Sequence, residues 1–295
     1  MSRLRGVARY IRHLPGLERA EWLWSMVRAP YHAAVNVTGG ARIRVGGIAW
    51  ITIPAEFGGG SWETFECEAI SQFFRWVAVH DAALVLDIGC SHGLYSAVAL
   101  FASPRLDVVA FDADIASLVQ ARRFCARADG GRLRLVWGLV GERASGESGP
   151  IEAAVERTRA ALAQSRATGE WETTRYVCIE ATDVGAVPRL TLDALFPVPI
   201  GRPVVIKCDI EGAELLMLQG ATEFIAKNRP AMLLSVHPPV LPLHGHSTEA
   251  VARFLADRGY EVTHLTSDHE EHWWCAHSRA AAPDLTSAVD LKFLS

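Results

Sequence analysis

From about residue 80 onward, short mostly apolar runs alternate with longer segments whose apolar positions recur every three or four residues. The runs at 84–88, 108–111, 133–137, 204–209 and 231–236 are too short for helices and do not alternate, so they read as strands covered on both faces. Helical spacing between and after them, at the turn following Gly93 and over 115–127, 212–226 and 248–258, predicts a helix on each crossover. That order gives a doubly wound, mostly parallel α/β sheet. Strands at 260–265 and 272–276, separated by a polar stretch, fit an antiparallel hairpin at its end.

Upstream the pattern changes. Residues 1–30 predict two short helices divided by Pro15-Gly16, the first with Leu4, Val7, Ile11 and Leu14 on one face among arginines, the second carrying Trp22, Leu23, Trp24 and Val27. The basic face is read as packing on the protein's own core or on a partner subunit in preference to an anionic membrane surface. Alternation at 41–45, then Gly46-Gly47, then 48–53 predicts a hairpin, and Gly58-Gly59-Gly60 marks a boundary before a helix over 62–79 that uses Phe65, Ile70, Phe73 and Trp76. The expected organisation is an accessory α/β segment at 1–60, a main domain at 61–278 and a tail at 279–295. Within the domain, 141–190 is an elaborated crossover, helical at 151–167 and extended at 175–180, lying over the carboxyl edge of the sheet. Thr191 caps a short helix at 191–195.

Half of the 295 residues are hydrophobic, enough for one large core and an appendage. With 29 basic and 33 acidic residues the net charge is -4, which leaves no basic footprint for nucleic acid and suits a small-molecule or glycan partner. No window is long and apolar enough to span a bilayer, and arginines break up any secretory signal, so the cytoplasm is the expected compartment. The six cysteines form no C-x-x-C pair and read as reduced, mostly buried thiols. A homo-oligomer is compatible with the N-terminal helices.

Candidate chemistry concentrates at two strand ends. In the first, Asp87-Ile88-Gly89-Cys90-Ser91-His92-Gly93 is a strand, a glycine turn and a helix start, where Gly89 and Gly93 admit a close backbone approach and helix amides favour an anion. Asp112 ends the next strand about twenty residues on, where a carboxylate takes ribose hydroxyls. The D-x-G-x-x-x-G pattern lacks the third glycine of a dinucleotide fingerprint. S-adenosylmethionine fits better, its amino-acid end on the helix amides, its ribose on Asp112 and its sulfonium near Asp87. A nicotinamide oxidoreductase is the competing reading. In the second, Lys207, Asp209, Glu211 and Glu214 crowd the end of a central strand, and His237 ends its neighbour. Caps and helix-dipole partners would explain the acids, but an ammonium inside an apolar strand needs a paired carboxylate. Asp209 or His237 is the candidate general base, with Lys207, Glu211 and Glu214 organising the site. Asp209, Glu211 and Glu214 are also oxygen ligands of the kind Mg²⁺ takes, which leaves a metal-assisted version as an alternative. His92 reads as a surface or cofactor-edge residue. His244, His246, His269 and His272 fall in loop-like stretches without ligand spacing and receive no role.

With these segments in place, residues 63–260 resemble the FkbM family of S-adenosylmethionine-dependent methyltransferases. Asp87-Ile88-Gly89 through Gly93 and Tyr95-Ser96 is similar to the family's cofactor motif, and Phe111-Asp112 to its ribose-binding position. Thr191-Leu192-Asp193, Lys207 through Glu214, Arg229-Pro230 and His237-Pro238 resemble later landmarks in the same order. The chain departs from the pattern at Cys90-Ser91-His92, at Asp112 and at Ser235, the last two in places where the family usually has glutamate. The resemblance implies a Rossmann-like methyltransferase sheet of seven strands with an antiparallel last strand. It also implies cofactor contacts from Asp87, Gly89, Gly93, Tyr95, Ser96 and Asp112, and O-methylation of a sugar, glycan or polyketide-type acceptor. A non-catalytic cofactor-binding scaffold is the remaining alternative.

Overall fold

The computed structural model describes residues 21–144, 187–267 and 270–278. The expected helices within 1–20 and at 151–167, the strand at 175–180, Cys178, His269 and the tail lie outside those residues.

Helix α1 (Glu21–Val37) continues through Pro30 past the expected end at residue 30. The hairpin forms as patterned, β1 (Ala41–Val45) against β2 (Ala49–Ile53), with Ala41 facing Ile53 and Val45 facing Ala49. Its buried residues merge with one core shared by the next helices. Helix α2 (Cys67–Val79) begins five residues later than the spacing predicts. Trp62 is held in a turn, its Nε1 donating to Phe57 O at 2.8 Å and its carbonyl accepting from Gly46 N at 3.0 Å, and Glu66 adopts a left-handed conformation that a helix cannot include. Phe65 consequently stays 41 % exposed.

A seven-stranded sheet follows. β3 (Leu84–Ile88), α3 (Leu94–Ala102), β4 (Asp107–Asp112), α4 (Ile115–Cys125) and β5 (Leu133–Trp137) wind toward one edge. A two-residue parallel pair, β6 (Leu139–Val140) with β7 (Arg189–Leu190), and the short α5 (Leu192–Leu195) lead back across. Next come β8 (Val204–Asp209), α6 (Glu214–Gln219), α7 (Thr222–Asn228), β9 (Ala231–Val236), α8 (Thr248–Ala256), β10 (Tyr260–Ser267) and β11 (Glu271–His277). The strand order is β10-β11-β9-β8-β3-β4-β5, parallel from β9 to β5, with β11 antiparallel between β9 and β10. The single helix expected over 212–226 is two helices. A side chain at Gly220 would sit 1.9 Å from Gly141 O, so only glycine fits where the crossover backbone passes the break.

The sheet separates two cores. Val85, Val108, Val205 and Leu233 face the hairpin, α2, α3 and α4, whereas Leu86, Val109, Ile206 and Leu234 face α6, α7 and α8. The chain reverses winding direction between β3 and β8, and ligands in such sheets bind at the carboxyl ends flanking that switch point. There Gly89 packs directly on β8. With φ at 76°, it leaves no room for a Cβ, which would stand 1.8 Å from Asp209 O. Gly89→Ala should therefore destabilise the fold by about 3 kcal/mol in chemical denaturation, combining left-handed strain with a backbone clash. A loss under about 1 kcal/mol would show that the two strand tips separate freely.

Candidate active site

The turn after β3 is fastened to the end of β4. Gly89 N and Cys90 N both donate to Phe111 O, at 2.9 and 3.0 Å. Asp112 accepts from Ser91 N at 2.9 Å and from Asp114 N at 2.8 Å, and its burial pushes the carboxyl up to about 7 despite those donors. Gly93 has φ at 84° and abuts Ala121 and Cys125 of α4. Both glycines thus set protein packing. Asp87 Oδ2 accepts from Ser96 N at 3.0 Å and Ser96 Oγ at 2.6 Å, tying the strand end to the first turn of α3. Burial raises its pKa. His92 lies among aromatic rings, 5.2 Å from Trp62 and 5.3 Å from Phe124 between centroids.

Two-residue periodicity places the second constellation. Asp87 is in register with Lys207, and Asp209 with Ser235, which pairs with His272 on β11. Since Val85, Val205, Leu233 and Trp274 of the same strands belong to the core beneath α2 and α3, this polar row lies on that face at its carboxyl end. Lys207 is 1 % exposed. Its Nζ donates to Ser235 Oγ at 2.7 Å and to Asp209 Oδ2 at 3.1 Å, and sits 4.9 Å from the centre of the Tyr95 ring. Burial works against the ammonium, but Asp209, Glu66, Glu270 and Asp87 outweigh it and raise its pKa. Because Lys207 fills a lone pair of Ser235, the hydroxyl proton is free to point at His272 Nδ1, 3.2 Å away. His272 Nε2 then faces Glu270 Oε1 at 3.3 Å. Tyr95 Oη donates to Glu66 Oε2 at 2.6 Å.

His237 is the second hub. Glu214, fully buried, accepts backbone N–H of Gly212 at 2.9 Å and stands 2.8 Å from His237 Nδ1 through the same oxygen. Around His237 Nε2 lie Glu270 Oε2 at 2.8 Å, Glu211 Oε2 at 3.5 Å and Asp209 Oδ1 at 3.6 Å. Burial alone would lower the imidazole, but Glu214 and Glu270 beside it dominate and push it up to about 10. Burial likewise opposes ionisation of Glu270, yet His237, Lys207 and His272 hold its carboxyl down at about 2. The carboxyl groups gathered here outnumber Lys207 and the two imidazoles.

A family model described as the methyltransferase FkbM domain matches residues 59–262. The chain belongs to the FkbM methyltransferase family. No protein of curated function matches the sequence. Among solved structures it is similar to methyltransferase FkbM from Methylobacillus flagellatus KT, with 18 % identity, 67 % of this chain and 44 % of that one covered, and a TM-score of 0.43. It is also similar to precorrin-6y C5,15-methyltransferase from Geobacter metallireducens GS-15, with 14 % identity, 75 % and 95 % covered, and a TM-score of 0.43. The chain thus spans under half the length of the Methylobacillus protein.

This FkbM domain brings Asp87, Lys207, Asp209, Glu211, Glu214 and His237 together around the switch point. Asp112, Ser96 and Tyr95 surround the first turn, the latter two engaged with Asp87 and Glu66. One expectation is corrected: His272 is not a loop residue but a fully buried member of β11 and of the network. Glu66, Ser235 and Glu270 were given no part, although a serine opposite Asp209 on a two-residue repeat is a legible signal. Glu66 and Glu270 each stand one residue before an element, Glu66 in the turn that shortens the expected helix and Glu270 ahead of β11, so contacts distant in sequence bring them to the network.

The pKa of His237 fixes a sign for pH dependence. Its folded value stands above the ordinary 6.5, so its stabilisation is complete below pH 6.5 and is lost as pH rises toward 10. Melting temperatures measured from pH 6.5 to 10 should fall more steeply for the wild type than for His237→Asn. Parallel curves would show that the ring carries no charge.

Proposed function

We propose that this FkbM chain transfers the methyl group of S-adenosylmethionine to a hydroxyl oxygen of a sugar, glycan or polyketide-type acceptor. What carries the reading is the contact between Gly89 and the Asp209 backbone, because it sets the cofactor turn and the acid-rich strand end side by side. The residues present suit that cofactor: Asp112 is available to ribose oxygens at the rim, the α3 start offers amides for a carboxylate, and the carboxylate excess favours a sulfonium. When bound, the cofactor supplies an electrophilic methyl group; the remaining work falls to the chain.

That work is orientation and proton removal. Holding an acceptor oxygen in line can supply several kcal/mol. Asp209 is the base this geometry favours over His237. Its Oδ2 is fixed by Lys207, and it is 30 % exposed on its side chain, so a hydroxyl can reach Oδ1. His237, held protonated between Glu214 and Glu270, has no lone pair with which to accept a proton and instead orients the carboxylates. Asp87, bonded twice to Ser96, sets the position of the α3 start.

Adenosylmethionine should raise the melting temperature and NAD should not; the reverse would transfer the chain to nicotinamide chemistry. Asp209→Asn should lower transfer of labelled methyl to a glycan acceptor by ~100-fold or more while the cofactor-induced shift persists, and full activity would remove Asp209 from the mechanism. Asp87→Ala should weaken cofactor binding by calorimetry, and unchanged affinity would contradict its role.

A further inference from the structure

Helix α1 meets the rest of the molecule through one side of its carboxyl end. Asn36 Nδ2 donates to Glu56 Oε2 at 3.1 Å, Asn36 Oδ1 accepts from Ala55 N at 2.8 Å, and the Asn36 carbonyl accepts from Arg127 Nη2 at 2.6 Å. Val35 beside it packs against the core. With about 100° of rotation per residue, the half-buried His32, Val35 and Asn36 share one narrow arc of the helix. Met26, Pro30, Ala33, Ala34 and Val37 fall on the opposite side, and all five are exposed, Met26 at 67 % and Val37 at 87 %. Packing on the protein's own core, which the sequence suggests for this segment, is thus limited among the described side chains to the docked edge.

A surface helix of a globular protein normally turns its apolar stripe to the core. In α1 the apolar side faces outward and the docked edge carries His32 and Asn36. Such a side is a contact surface, and charge identifies what it contacts. Residues 1–30 hold Arg3, Arg5, Arg9, Arg12, Arg19 and Arg28 against Glu18 and Glu21, an excess of four positive charges in a chain whose net charge is -4. The remainder of the chain is therefore strongly acidic, and the basic excess is concentrated in and just before α1. A second copy docking helix to helix would bring two such excesses together. An anionic bilayer matches both the apolar side and the charge. Tyr31, 37 % exposed at the margin of the apolar side, has the amphipathic ring that suits headgroup level.

We infer that α1 is an interfacial helix that lays Met26, Pro30, Ala33, Ala34 and Val37 on an anionic membrane surface, the arginine excess of residues 1–30 supplying the attraction to its headgroups. Among the described residues no helix is long and apolar enough to cross a membrane, so α1 lies along the surface.

The test mixes the full-length protein with vesicles of phosphatidylcholine containing about one-third phosphatidylglycerol, or with vesicles of phosphatidylcholine alone, and measures the fraction that sediments. Binding to the anionic vesicles should be at least ~10-fold stronger and should weaken as salt is raised. Met26→Glu combined with Ala33→Glu should weaken it by at least ~10-fold and leave the melting temperature unchanged, since both side chains already meet water. Equal binding to both kinds of vesicle, binding to neither, or undiminished binding by the double variant overturns the proposal. So does a dimer, seen by analytical ultracentrifugation, that the double variant breaks while vesicle binding is absent, because the apolar side would then belong to a second copy.

Discussion

The Lys207 ammonium is the constraint around which the carboxyl edge of the sheet is built. A lysine 1 % exposed inside a central strand survives ionised only if its surroundings replace water, and Ser235, Asp209 and the Tyr95 ring do so from three directions. Each of those partners is itself held. Ser235 is aligned with His272, Tyr95 is fixed through Glu66, and Asp209 lies beside His237. Removing one member would strand a buried charge, at a cost of about 3 to 5 kcal/mol, so the network acts as a unit.

The location follows from sheet geometry. Between β3 and β8 the crossovers leave in opposite directions, which opens a crevice at the strand ends where polar groups can gather without displacing the core. Two-residue periodicity then sends Asp87, Lys207, Asp209, Ser235 and His272 to one face, beneath α2 and α3. Leu86, Ile206 and Leu234 on the other face stay wholly apolar. The side chains of α2 and α3 that meet the polar row are accordingly Tyr95 and Ser96, with Glu66 at the helix entrance.

Much of this was legible in the residues. The apolar runs located all five parallel strands, four of them because near-continuous burial leaves a near-continuous signature and the half-exposed edge strand β5 through Leu133, Leu135, Val136 and Trp137, and the Gly46-Gly47 hairpin formed where alternation broke. Lys207 announced its network by being an ion in an apolar strand. Less legible were features decided by contacts distant in sequence. The need for glycine at 220 depends on the Gly141 backbone, the late start of α2 on the Trp62 turn, and the part played by Glu270 on a strand that returns between two others. His272 opens the expected strand at 272–276 yet carries no ligand spacing, and its part in the network comes only from the pairing of β11 with β9, which sets it opposite Ser235. The two cradle glycines are expected from the sequence to admit a bound molecule; in the structure what presses on them is the protein, Asp209 in one case and α4 in the other.

The pairing of Leu139 with Arg189 and of Val140 with Leu190 clips the long crossover at its root, so the chain departs and returns at a single point beside β4 and β5. Anything threaded between these anchors can be lengthened at a cost that rises only logarithmically, about 0.6 kcal/mol per doubling. Variation there need not disturb the strand ends. Evolution is thereby given a segment that can be exchanged at a fixed two-residue anchor without rebuilding the sheet it leaves.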